Sequence, residues 1–174
     1  MSSAWIFPGQ GSQTVGMGRD LYEEFPAARA IYDRAGQVLG FDLARLCFEG
    51  PAEELTATEN AQPALLATSI ALLAALGWTE DGGGALEGPA FVAGHSLGEY
   101  SALVAARALS LDTALRLVRR RGELMAAATE GTMAAVIGLD AGALQAACAE
   151  ASALGPAVIA NENAPGQLVI SGAR

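Results

Sequence analysis

Gly94-His95-Ser96-Leu97-Gly98 sits between a short apolar run, Ala90-Phe91-Val92-Ala93, and a helix-compatible run from Glu99 to Ala108. A strand, then Gly-x-Ser-x-Gly, then a helix is the arrangement of a nucleophile elbow. A chain that reverses straight from strand to helix strains the serine backbone and brings neighbouring backbone close, so glycine is required on either side. The same turn lifts the serine hydroxyl clear of the sheet. It also aims the first N–H groups of the helix at whatever the serine attacks.

Around this motif the composition describes a folded α/β protein. The chain has 174 residues, 52% of them hydrophobic, with a mean hydropathy of +0.32. That is enough to bury a core and is unlike a disordered segment. Nineteen Asp and Glu against ten Lys and Arg give a net charge of −9, which speaks against nucleic acid or an anionic membrane surface as partner. Cys47 and Cys148 match no metal-ligand spacing, and they read as idle thiols in a reducing compartment. The N-terminus lacks the basic and apolar regions of a signal peptide. The longest apolar stretch, Pro63 to Trp78, is broken by Thr68 and Ser69 and is short for a membrane span. A cytoplasmic location is expected.

Trp5-Ile6-Phe7 reads as a first strand running into the Gly-rich loop Pro8 to Gln13. Leu21 to Leu39 is expected as one helix capped by Gly40. Shorter helical pieces follow at Leu43 to Phe48 and Ala52 to Leu55. A buried helix is expected from Asn60 to Leu76, with Pro63 in its first turn. Glu80 to Gly88 is a surface loop, and Leu111 to Ala128 an amphipathic helix started by Ser110. Beyond Gly131 the texture changes to strand, helix, strand, strand: Met133 to Leu139, Ala141 to Ala153, Ala157 to Asn161 and Gln167 to Ser171. Asn161 and Asn163 read as turn formers ahead of Pro165-Gly166. The β-α-β-β order suggests the first part of a ferredoxin-like unit. The expected domains are therefore residues 1–130, an α/β core, and residues 131–174, the start of a smaller subdomain. Two clear parallel strands do not make a stable covered sheet, so the chain reads as the N-terminal part of something larger. Marginal stability is expected from its unpaired edge and uncovered apolar faces.

Three groups besides Ser96 carry candidate chemistry. The loop Gly9-Gln10-Gly11-Ser12-Gln13 fails the dinucleotide pattern, because Thr14 stands where the third glycine belongs, and it lacks the Gly-Lys pair of a P-loop. A loop at the end of a parallel strand still lies at the functional edge of an α/β sheet, which makes Gln10 a candidate for polarising a substrate carbonyl. His95 is the only histidine. As the immediate neighbour of Ser96 on a sharp turn it is poorly placed as its base. Arg116, Arg119, Arg120 and Arg121 lie within two helical turns and read as a solvated basic face, from which one could turn inward to clamp a carboxylate.

Taken in order, Phe7 to Gln13, Gln62-Pro63-Ala64-Leu65, Gly94 to Tyr100, Arg121-Gly122 and Asn163 to Gln167 resemble the malonyl-CoA:acyl-carrier-protein transacylases of fatty-acid synthesis. The resemblance covers essentially the whole chain. It implies an α/β-hydrolase-like core with a parallel sheet and an inserted ferredoxin-like subdomain, both incomplete here. It implies Ser96 as the nucleophile, Gln10 and the Leu97 N–H as the oxyanion hole, Arg121 as the partner of the malonyl carboxylate, and His95 and Gln62 as pocket residues. No cofactor or metal is implied: malonyl-CoA is the substrate, and acyl carrier protein receives the acyl group from the serine ester. The family's catalytic histidine falls beyond residue 174, so the isolated chain is expected to be inactive. The alternatives are the acyltransferase domain of a polyketide synthase, a serine hydrolase on the same elbow, and a non-catalytic remnant. Met1 lies only a few residues before the first strand, which favours a free-standing enzyme over the polyketide domain.

Overall fold

The computed structural model describes residues 3 to 173; Met1, Ser2 and Arg174, which end the two expected domains, lie outside them. The chain divides into two compact units that meet at Ala126 and Ala127.

Among the described residues, the first unit contains two strands, β1 (Ala4–Phe7) and β2 (Phe91–Gly94), and seven helices: α1 (Arg19–Glu24), α2 (Pro26–Leu39), α3 (Leu43–Glu49), α4 (Ala52–Thr56), α5 (Thr58–Ala75), α6 (Gly98–Ala105) and α7 (Leu111–Ala127). The strands pair in parallel, Ala4 opposite Phe91 and Phe7 opposite Gly94. Parallel neighbours send their following loops out at the same end, which sets the Gly-rich loop beside the elbow. Ile6 is 79% and Phe91 72% exposed, so the apolar faces expected to be uncovered are present.

Helix α5 is the centre of this unit. Ala64, Leu66, Ala67, Ile70 and Ala71 are fully buried, as an apolar run without a polar stripe requires. It packs with Tyr32 and Ala35 of α2, Val104 of α6, and Leu115 and Val118 of α7 in one core. Cys47 of α3 belongs to the same core, and burial pushes its thiol up to about 12. A thiol so protonated is a poor nucleophile. Cys47 is therefore expected to resist iodoacetamide at about pH 8 in the folded chain and to react in urea. Peptide mapping showing rapid labelling of the native protein would contradict its burial.

Two helices start elsewhere than their patterns suggest. The expected helix from Leu21 to Leu39 is broken at Phe25, which is extended (φ −117°, ψ 110°). Pro26 sterically disfavours the helical conformation in the residue before it and then serves as the first residue of α2. Helix α5 begins at Thr58, two residues before the expected start, so Pro63 sits in its second turn. There the missing N–H leaves the Glu59 carbonyl without its helical donor, and Arg119 of α7 donates to that carbonyl at 3.0 Å. Helix α7 itself opens on a charged network. Glu80 accepts from the Leu111 N–H at 3.0 Å, and Arg34 binds both Glu80 (2.8 Å) and Asp112 (2.6 Å).

The second unit runs β3 (Gly131–Ile137), α8 (Ala141–Ala151), β4 (Ala157–Ala164) and β5 (Gln167–Ala173). Its sheet order is β3-β5-β4 with β5 antiparallel to both neighbours. This is the split β-α-β arrangement in which a later strand inserts between the two joined by the helix. Leu144 and Cys148 of α8 pack on Leu168, with Val136, Ile159 and Ile170 around them. Asn161 and Asn163 do not form the turn. They lie within β4, which carries register shifts there, and the reversal is left to Pro165 and to Gly166 at φ 74°. Asn tolerates turns, but the pairing of Asn161 with Val169, and of Glu162 and Ala164 on either side of Asn163, prevails here, as tertiary context does over propensity.

Candidate active site

Ser96 has φ 52°, one of two non-glycine residues with positive φ among those described. That conformation costs an L-residue roughly 1–3 kcal/mol and persists only where the surroundings impose it. The imposing contacts come from the flanking glycines. A Cβ on Gly94 would strike the Gly98 backbone, and one on Gly98 would strike the Phe7 carbonyl. Helix α6 then starts immediately beyond Leu97, which is fully buried. The N–H groups at that helix end lack helical acceptors.

The Gly-rich loop lies against the elbow, as the parallel register requires. A Cβ on Gly9 would come within 2.8 Å of the His95 carbonyl and 2.9 Å of His95 Nδ1, so this glycine admits the backbone next to the serine. The loop is organised internally: Ser12 Oγ donates to the Gly9 carbonyl (2.9 Å) and the Gly11 N–H to Gln13 Oε1 (2.8 Å). Gln10 is exposed, and its Oε1 accepts from Thr58 Oγ1 at 3.0 Å.

The basic cluster of α7 divides by direction. Arg116 and Arg120 face solvent, and Arg120 pairs with Glu123 at 3.3 Å. Arg119 turns to α5, reaching the Glu59 carbonyl and Asn60 Oδ1. Arg121 turns inward. Its Nη2 donates to Ser96 Oγ at 2.8 Å and its Nη1 to Gln62 Oε1 at 2.7 Å. The approach of the two helices that permits this occurs at Gly122, where a Cβ would lie 2.5 Å from Glu59 Cα. Gln62 is fully buried, and its Nε2 donates to Thr58 Oγ1 (3.0 Å) and to Met125 Sδ (3.4 Å).

The structure thus brings Ser96, Arg121, Gln62 and Gln10 into one hydrogen-bonded chain, with Leu97 and His95 on the same turn. Among the described residues the side-chain partners of Arg121 are neutral, whereas Arg34, Arg119 and Arg120 each meet a carboxylate. A half-buried guanidinium with neutral partners and spare donors is suited to an incoming anion. An apolar cleft of about 430 Å³ beside β1, lined by Ile6, Leu65 and Leu72 among others, includes none of these four residues. Thr58 and Met125 are absent from the sequence reading of the site. Each stands four residues from a candidate, Thr58 before Gln62 and Met125 after Arg121, and that helical spacing is the signal that could have found them.

Residues 4–174 match the acyl transferase domain family, and the chain belongs to that family. It is 54% identical to the malonyl CoA-acyl carrier protein transacylase of Bacillus subtilis, over 97% of this chain and 53% of that protein. The acyl-carrier-protein S-malonyltransferase of Burkholderia pseudomallei superposes with a TM-score of 0.88 at 45% identity, covering 100% of this chain and 56% of the other. The same TM-score, identity and coverage hold for a malonyl-transacylase solved in complex with a type II polyketide acyl-carrier protein. The chain spans about half the length of the relatives it matches. Among the described residues, no helix is long and apolar enough to cross a membrane.

Proposed function

We propose that this chain carries the nucleophile and the carboxylate-recognition half of a transacylase that moves a malonyl group from malonyl-CoA to the phosphopantetheine thiol of acyl carrier protein. The observation that supports this most directly is the placement of Arg121, 2.8 Å from the oxygen to be acylated and held from behind by buried Gln62. Ser96 Oγ attacks the thioester carbonyl and gives up its proton to a base. The tetrahedral oxyanion is met by the Leu97 N–H and the Gln10 amide. Coenzyme A leaves as the thiol, and the malonyl ester remains on Ser96 until the carrier thiol attacks it in the reverse sense. The free carboxylate of the acyl group lies two carbons beyond the ester oxygen, close enough to fold back onto the Arg121 guanidinium. An acetyl group leaves that guanidinium without a counter-anion, which is the basis for selecting the dicarboxylic acyl chain. His95 lines the pocket on the turn itself.

Fatty-acid synthesis is the proposed setting, in the cytoplasm. The runner-up, a transferase serving a polyketide carrier, is supported by the similarity to the transacylase solved with a type II polyketide acyl-carrier protein.

Ser96 Oγ accepts from Arg121, and His95, the one histidine of the sequence, is its immediate neighbour on a sharp turn and poorly placed to take its proton. The isolated chain is therefore expected to show no burst acylation with malonyl-CoA. Intact-mass measurement is the check, and a rapid single malonyl adduct lost on Ser96→Ala would overturn the expectation. The transferase reading is tested in a chimera that places this chain ahead of the remaining length of the Bacillus subtilis relative. Restored malonyl transfer that Ser96→Ala abolishes is expected. A well-folded chimera that hydrolyses simple esters but transfers no malonyl group would favour the hydrolase alternative.

A further inference from the structure

Gln62 is a polar side chain with no exposed surface, so its hydrogen-bonding groups have to be met inside the protein. Arg121 fixes which way the amide points. A guanidinium has donors only, so the Gln62 atom facing Arg121 Nη1 at 2.7 Å is the carbonyl oxygen, and the Nε2 group points away from it. That group carries a pair of N–H donors and needs two acceptors. Thr58 Oγ1 takes one at 3.0 Å, and Met125 Sδ takes the other at 3.4 Å. Thr58 belongs to the helix of Gln62 itself, one turn before it. Met125 comes from α7, one turn beyond Arg121. The helix that supplies the guanidinium therefore also closes the far side of the amide that holds it. Met125 is 44% exposed, so the buried amide lies behind a side chain that solvent reaches. Any apolar residue of this size could cover Gln62; the sulfur is what leaves neither of its donors without a partner.

We propose that Met125 is a positioning residue whose sulfur fixes the plane of the Gln62 amide and, through it, the aim of the Arg121 guanidinium at an acyl carboxylate. Its hydrogen bond is to Gln62; Gln62 holds Nη1 of Arg121, and Nη2 is left to Ser96 Oγ. With leucine in place of Met125 the second N–H faces a methyl group, and a buried donor without an acceptor is costly even where the lost bond was weak. The amide cannot recover by turning end for end, because that sets its N–H groups against the donors of Arg121. It can only tilt toward another acceptor, and the tilt carries the guanidinium off line. The geometric part of this proposal stands by itself; its kinetic consequence rests on the transacylase reading above.

The decisive experiment compares Met125→Leu with Met125→Gln. Leucine matches methionine in volume and accepts no hydrogen bond, whereas glutamine is polar and offers a carbonyl oxygen at similar reach. If Met125 served packing alone, leucine would be harmless and glutamine would not; an acceptor role reverses that order. In the 174-residue chain, 15N relaxation of the Gln62 side-chain amide is expected to show its order parameter falling below about 0.6, into the flexible range, in Met125→Leu. In Met125→Gln it is expected to stay at the parent value. Unchanged Gln62 order in Met125→Leu overturns the proposal, and so does an equal fall in both variants. Should Met125→Leu fail to fold by circular dichroism, Met125→Ile replaces it with the same expected result. In the chimera, Met125→Leu is expected to lower kcat/KM for malonyl-CoA by about tenfold, the effect of one unmet buried donor. Acetyl-CoA transfer should change by less than about twofold, because it does not use the carboxylate contact. Met125→Gln should stay within about threefold of the parent with both substrates. Equal losses with malonyl-CoA and acetyl-CoA, or a larger malonyl loss in Met125→Gln than in Met125→Leu, overturn the proposal. A parent chimera that transfers no malonyl group defeats the transacylase reading, and the Gln62 relaxation then decides the role of Met125 by itself.

Discussion

Arg121→Ala in the chimera is expected to lower kcat/KM for malonyl-CoA by about 10²- to 10³-fold, while acetyl-CoA transfer falls by less than about tenfold. A charge-assisted hydrogen bond is worth roughly 1.5–3 kcal/mol, and a two-pronged contact between guanidinium and carboxylate makes two of them. Acetyl transfer does not use that contact. What it loses is the restraint on Ser96 Oγ and the satisfaction of buried Gln62 Oε1, both supplied by Arg121 in the structure. Arg121→Lys should fall between the two, since an ammonium meets one carboxylate oxygen well but cannot also reach Gln62 and Ser96 in the same fork. Steady-state rates with both acyl-CoA substrates check the result. Equal loss for malonyl and acetyl would show that Arg121 supports the serine without selecting the acyl chain.

Gly98→Ala is expected to destabilise the first unit by about 3 kcal/mol, at the upper end for a single methyl group. The added Cβ has no side chain to push aside, because it meets the Phe7 carbonyl and, at 2.9 Å, the Pro8 carbonyl. Backbone at the end of β1 must therefore move, and with it the parallel pairing of Phe7 with Gly94. Urea titration of the chain and of the variant measures the difference. A midpoint within error of the parent would mean that the elbow can relax more freely than its contacts imply. Gly11→Ala is the contrasting case: no atom lies within 4 Å of its Cβ, and the burden there is its positive φ of 106°.

The elements of the fold that follow from local rules were legible in the sequence. Gly40 adopts the left-handed conformation of a helix C-cap, Ser110 accepts from the Thr113 N–H at the start of α7, and the β-α-β-β order of the second unit is present. Each depends on residues within a turn of one another. The exceptions have equally local causes that the hydrophobic pattern overrode. Pro26 divides what the apolar spacing from Leu21 to Leu39 joins, because a periodic pattern records which face is buried and does not record a backbone clash. Asn161 and Asn163 favour turns by propensity, yet both lie in a strand: Asn161 stands opposite Val169 of β5, and Asn163 is carried between the paired Glu162 and Ala164 at a register shift.

The candidate site was legible in part. Ser96 and the elbow glycines could be named because the strain and close approach at that turn are properties of a few consecutive residues. The family resemblance supplied Gln10, Gln62 and Arg121 as separate members without saying how they meet. Of four neighbouring arginines, composition alone cannot tell which turns inward. Gly122 decides it by allowing α7 to approach the first turn of α5.

The sequence by itself determined the strained turn at Ser96, the glycines that expose it, and the family to which this order of motifs belongs, because those rest on short-range backbone chemistry. Only the tertiary structure decided that Arg119 completes the Glu59 carbonyl that Pro63 leaves open, that Arg121 joins Gln62 to Ser96, and that Thr58 links Gln62 to Gln10. The physical reason is the range of these bonds. Apart from the i, i+4 contact of Thr58 with Gln62, their partners lie 25 to 60 residues apart in the chain. They meet because α5 and α7 pack closely and β1 and β2 run side by side, and that packing is a property of the folded core as a whole.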